Sequence, residues 1–139
     1  MYRVAPVDSL ALAQSLSALE AAGTPVPSAG AWLAEGNIGF AALDEQGPVG
    51  GILLIPCRRV LNRVQKYRTE WFYVRPDHRN RGLGRRLAEA AAAEACRNGA
   101  STILVAVHPD NHHGLAWSDS LPRVEGLGFV VSLDRCGLQ

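Results

Sequence analysis

Apolar and polar positions change period several times along the chain, and the changes fall at glycine, proline and asparagine. Residues 1–6 read as a first strand. Asp8 or Ser9 can N-cap a helix running to about residue 22, with Leu10, Leu12, Leu16 and Leu19 mostly on one stripe and Gly23 as its stop. Thr24-Pro25-Val26-Pro27-Ser28-Ala29-Gly30 is a loop, and residues 31–35 form a short helical turn. Residues 38–43 and 49–56 are strands joined through Asp44-Glu45-Gln46-Gly47, hence a hairpin. The polar stretch 58–68 either continues the second strand or loops. Residues 69–74 (Thr-Glu-Trp-Phe-Tyr-Val) form a central strand.

A different pattern follows. Residues 83–97 hold Ala88, Ala90 to Ala93 and Ala95, which favour a helix that packs closely on a sheet, and Asn98-Gly99 ends it. Residues 102–107 are β-branched and apolar without alternation, as in a strand buried on both faces in the middle of a mixed sheet. His108-Pro109-Asp110-Asn111 breaks that run. Residues 114–121 read as helical and 129–133 as a last strand. The order is strand, helix, three strands, helix, strand, helix, strand, an α/β (α+β) class.

Composition narrows the possibilities. A length of 139 residues suits one domain spanning 1–139, and 47% hydrophobic content is ordinary for a soluble globular protein. No apolar run approaches the ~20 residues of a membrane span. Residues 1–6 lack the apolar core of a signal peptide. Cys57, Cys96 and Cys136 lie far apart without metal-ligand spacing, which reads as reduced thiols in a cytoplasmic protein.

Charge changes the picture more. Residues 58–97 hold 11 Lys/Arg against four Asp/Glu, a local balance of +7, while the remainder carries −6. That charge centres on Val74-Arg75-Pro76-Asp77-His78-Arg79-Asn80-Arg81-Gly82-Leu83-Gly84, between a strand and a helix start. N–H groups in the first turn of a helix lack intrahelical partners and sit at the positive end of its dipole. Gly82 and Gly84 let an anion approach the backbone, and Arg79, Arg81, Arg85 and Arg86 add fixed charge. The run is not a P-loop, which needs Gly-x-x-x-x-Gly-Lys-Ser/Thr. Nor is it a dinucleotide fingerprint, since the third glycine's place is taken by Leu87.

What remains, Val-x-Pro-x-x-Arg-x-x-Gly-x-Gly followed by x-x-Leu at Leu87, resembles the acetyl-CoA-binding motif of the GNAT superfamily of N-acetyltransferases. The element order agrees over most of the chain, and Leu127-Gly128-Phe129 resembles the family's terminal Leu-Gly-Phe. The resemblance implies a mixed, mostly antiparallel central sheet flanked by helices. A wedge would open in it between the parallel strands 69–74 and 102–107. Acetyl-CoA would be held by Val74, by Arg79, Asn80, Arg81, Gly82, Leu83, Gly84 and Arg85, and by Asn111 near the cofactor arm. The implied reaction is direct acetyl transfer to a primary amine of a small-molecule or protein acceptor.

That chemistry needs an N–H for the developing oxyanion, and the backbone around Val74 is the candidate. It also needs a neutral amine, whereas a lysine-like amine has a pKa near ~10.4. Glu70 is the best-placed base, an even number of residues before Val74 and so on the same side of a regular strand. Its alternative role is an ion pair with Arg68 or another arginine. Tyr73 would then point away from Val74. Many family members protonate the leaving thiolate with a tyrosine whose place here is Val124, and the interval from Asn111 to Phe129 is about six residues longer than common, containing residues 117–123. Ser118, Ser120 or a water could substitute.

Two further readings follow: an acyl-CoA-binding module that senses without turnover, and, ranked below both, a nucleic-acid-binding domain using residues 58–97. Arg58, Arg59 and Arg63 are open to three roles, namely the acceptor side, the cofactor's phosphates or a homodimer contact. His108, Asp110, His112 and His113 match no standard zinc spacing, so no metal is expected. Trp32, Trp71 and Trp117 read as core or pocket wall.

Overall fold

Among the described residues six strands lie side by side in chain order: β1 (Arg3–Pro6), β2 (Ile38–Asp44), β3 (Gly47–Val60), β4 (Arg63–Val74), β5 (Thr102–Val107) and β6 (Gly128–Leu133). The structure, a computed structural model, describes residues 1–19, 26–61, 63–107 and 128–133. The first four strands pair antiparallel, and β4–β5 and β5–β6 pair parallel. β5 thus sits between two parallel neighbours, as its unbroken apolar run requires. The expected helix at 114–121 lies outside the described residues.

Helices α1 (Leu10–Ser17) and α2 (Ala29–Leu33) cover one face of the sheet. Ser9 caps α1 by accepting from Leu12 N at 3.2 Å, and Ser28 caps α2 by accepting from Ala31 N at 3.2 Å. Residues 31–35 had marked α2 two residues late, because Ser28 starts it and Gly36, at φ 90°, turns the chain out. Leu10 does not join the α1 stripe and is 57% exposed. Six residues before Leu16 it stands about 120° round the helix from it, whereas Leu12, Leu16 and Leu19 recur at i, i+4 and i+7. On this face Ala13, Leu16, Trp32, Leu53 and Trp71 form one core cluster. Trp32 rests on glycines: a Cβ on Gly39 would come within 2.9 Å of its ring.

Helix α3 (Leu83–Arg97) covers the other face, with the bounds expected from its alanine run. Leu83, Leu87, Ala88, Ala91, Ala92 and Ala95 are buried there over Ile52, Leu54, Val64, Tyr67 and Val74. The helix ends through Gly99 at φ 93°, with Ala100 N donating to Ala95 O at 3.0 Å.

The polar stretch 58–68 continues the ladder. β3 and β4 pair as far as Val60↔Arg63, with Leu61 at the tip in a left-handed conformation (φ 52°). Buried Val64 and Tyr67 give this charged hairpin its inner face. Two features of β4 then shape the opposite end. It pairs with β5 only from Lys66↔Thr102 to Arg68↔Leu104, whereas β5 stays paired to β6 along its whole length. Just beyond Arg68 the register on β3 slips, since Trp71 faces Leu53 and Thr69 faces Leu54, leaving Glu70 without an opposite residue. An extra residue of this kind bends and twists its strand. β4 therefore leaves β5 here, and a wedge opens beside residues 69–74.

Candidate active site

The wedge is bounded by the end of β4. Arg75 N donates to Val49 O at 2.8 Å, which makes the neighbouring Gly50↔Val74 pair one that exchanges no ladder bonds. The N–H and C=O of Val74 then point away from β3, toward the wedge. Arg79 Nε donates to the Val74 carbonyl at 2.8 Å, from that open side. The Val74 side chain is buried beneath α3. Gly50 is required opposite: a Cβ there would lie 2.4 Å from Tyr73 O.

Past Val74 the chain makes one 3₁₀ turn at Pro76–His78, closed by His78 N donating to Arg75 O at 2.9 Å. Asn80 (φ 63°) and Gly82 (φ 77°) are both left-handed, and α3 begins at Leu83. Asparagine tolerates that conformation and glycine adopts it freely. Gly82 brings no side-chain cap to the first turn of α3, and nothing lies within 4 Å of where its Cβ would stand. The helix start therefore presents its amides to an open space, the arrangement that accepts a phosphate.

The four arginines do gather here, but with different commitments. Arg79 is tied to Val74 O and lies 5.5 Å over the Tyr73 ring. Arg85 pairs with Glu89 at 2.9 Å. Arg81 and Arg86 are exposed and have no carboxylate partner among the described residues, so they are the cations left to meet an anion. Arg63 and the backbone of Arg58 and Arg59 lie toward the far end of the same ladder, roughly 26 to 36 Å away at ~3.3 Å per residue, and cannot serve this turn.

Residues 12–117 match the family model described as acetyltransferase (GNAT) family. The chain belongs to the GNAT acetyltransferase family. It is accordingly an acyl-CoA-dependent N-acyltransferase with acetyl-CoA as co-substrate. The fold agrees with that of solved acetyltransferases. One is an aminoglycoside acetyltransferase from an uncultured soil metagenomic sample, solved with trehalose (TM-score 0.68, 14% identity, 88% of each chain covered). Another is AAC(6′)-Iy with a CoA-S-monomethyl-acetylneamine bisubstrate analogue (0.66, 16%, 98% of this chain and 99% of that one). A third is the ribosomal-protein-alanine N-acetyltransferase of Brucella melitensis biovar Abortus 2308 (0.66, 15%, 94% and 97%). No curated protein matches the chain in sequence.

Within this GNAT frame Glu70 takes up the ion pair weighed against its catalytic role: Arg68 Nη2 lies 3.1 Å from its Oε1, both side chains being partly exposed. Arg68 follows Tyr67, which faces α3, and so lies on the α1/α2 side with Trp71 and Tyr73, while Glu70 meets it from the extra position of β4. The extra residue in β4 interrupts the regular alternation on which the even spacing from Glu70 to Val74 relies. Beside the wedge, Thr69 Oγ1 is buried with no hydrogen-bond partner among the described residues, a feature that the sequence does not mark. Trp32 and Trp71 are core, packed edge to face at 5.6 Å. Asn111, the histidines at 108, 112 and 113, Trp117, Ser118, Ser120, Val124 and Cys136 lie outside the described residues.

Proposed function

We propose that this enzyme acetylates a primary amine by direct attack on acetyl-CoA, with the two faces of the sheet dividing the work. The amides of residues 79–85 and the cations Arg81 and Arg86 hold the pyrophosphate at the α3 side. The cofactor arm, with Asn111 beside it, runs into the wedge, where the Val74 N–H meets the thioester oxygen. The amine arrives from the α1/α2 side, where Glu70, through a water, takes its proton. The N–C bond forms, the tetrahedral oxyanion is held by the amide, the C–S bond breaks, and the second proton of the new C–N nitrogen passes through water to the departing thiolate to give the CoA thiol. The observation that carries this reading is the Val74 backbone facing an unpaired strand edge one turn before a glycine-started helix.

The setting is the cytoplasm, in keeping with the Cys57 thiol, which forms no disulfide among the described residues, and with no helix among them long and apolar enough to cross a membrane. The acceptor is an amine-bearing small molecule or protein. Calorimetric titration with acetyl-CoA tests the donor half: binding in the micromolar range is expected, and no heat at high micromolar concentration would sink it. CoA-thiol release across a panel of aminoglycosides and peptides with N-terminal alanine tests the acceptor half. Sustained turnover with any of them excludes the sensing module that the Val124 position suggests; binding without turnover across a broad amine panel would favour it.

A further inference from the structure

The turn between β4 and α3 is short and carries two left-handed residues. Among the described residues, it is met from outside the β4–α3 connection by Tyr2, just before a strand three places away. β1 runs antiparallel to β4 through the pairings Arg3↔Leu43 and Gly50↔Val74, so the start of β1 and the end of β4 share one end of the sheet. Tyr2 packs there against the core under α3. Its hydroxyl lies 2.7 Å from His78 Nδ1, and the two rings meet edge to face at 5.7 Å. His78 Nε2 lies 3.7 Å from Asp77 Oδ2, which favours the proton on Nε2 and leaves Nδ1 to accept from the tyrosine. Arg81, one of the two uncommitted cations, lies with its guanidinium 5.9 Å over the Tyr2 ring.

We propose that Tyr2 is a positioning residue for the cofactor cradle: it fixes the turn through His78 and aims Arg81 at the pyrophosphate without touching the reacting atoms. This rests on reading the turn as the CoA site. The hydroxyl and the ring act separately. The hydroxyl holds the first half of the turn through one hydrogen bond, and the ring holds the second half through Arg81. Neither contact belongs to the β4–α3 connection, so their loss loosens the turn and leaves the sheet intact.

The test compares wild type, Tyr2→Phe and Tyr2→Ala by calorimetric titration with CoA and by amide hydrogen exchange. Tyr2→Phe keeps the ring and loses one net hydrogen bond, so its Kd for CoA rises about 3-fold. Tyr2→Ala also loses the cation–π contact, and its Kd rises about 10-fold. In both, exchange quickens at residues 77–84 and is unchanged in β2 and β3, a pattern that general destabilisation would not give. Wild-type affinity in Tyr2→Ala, or quickened exchange spread evenly over the sheet, overturns the proposal. Should Tyr2→Ala fail to fold, Tyr2→Phe decides alone, and unchanged affinity with unchanged exchange there overturns it. If wild type itself gives no heat with CoA, the cofactor reading fails, and exchange in the variants still decides whether Tyr2 holds the turn.

Discussion

One ladder, β3–β4, carries arginines at both ends, and the two ends are put to different use. At the hairpin tip, charged positions alternate with buried Val64 and Tyr67, and the guanidinium of Arg63 lies against Gly99, where a Cβ would come within 3.2 Å of its Nε. These arginines belong to a strand pair whose backbone amides serve the ladder. At the other end the arginines surround a helix start that has a left-handed glycine, open space above it, and a strand edge released by the wedge. Charge per residue does not separate the two ends. Backbone geometry does, because an anion site needs N–H groups directed at one point as well as nearby cations.

The sharpest way to break that contrast is at Gly82. Gly82→Val forces a β-branched residue into φ 77°, at a cost of about 1–2 kcal/mol or more, and moves the amides of the helix start. CoA affinity should fall about 100-fold by calorimetry, with a matching loss in urea-melt stability. Arg63→Ala at the other end should leave CoA affinity unchanged; a comparable loss there would erase the distinction.

Glu70→Gln separates donor binding from chemistry. With an amine that the wild type accepts, the transfer rate should fall about 10²-fold while CoA binding holds. If the rate is unchanged, Glu70 serves only its ion pair with Arg68.

Smaller effects refine the picture. Arg86→Ala should weaken CoA binding about 3- to 5-fold and flatten its salt dependence, as expected of an exposed cation near a phosphate. Equal salt dependence in the variant would place Arg86 away from the ligand. At the hairpin tip, Leu61→Gly relieves a left-handed conformation at a residue that is 90% exposed, and should raise stability by about 0.5–1 kcal/mol in a urea melt, with no effect on CoA.

These expectations differ in how much of their basis the sequence carries. The α3 bounds can be read directly, because Gly82 and Asn98-Gly99 bracket an alanine run. The motif from Val74 to Gly84 announces an anion site and a family. The hairpin is legible in its first half, but residues 58–68 hide their ladder behind charge, with only Val64 and Tyr67 marking an inner face. Leu10 misleads, since leucine at a helix start counts toward a stripe by composition while standing off it by angle. The extra residue at Glu70 leaves no compositional trace, and with it goes the wedge's cause. The hold of Tyr2 on His78 joins positions 76 apart and follows only from strand order. What the sequence does not carry is therefore non-local: it depends on which strand lies beside which, and in what register.

The most direct test of the central claim is amide chemical-shift mapping of CoA binding. Large shifts should appear at Val74, Gly82, Leu83 and Gly84, with the hairpin from Arg63 to Arg68 silent. Shifts concentrated on that hairpin, with the α3 start unmoved, would contradict it.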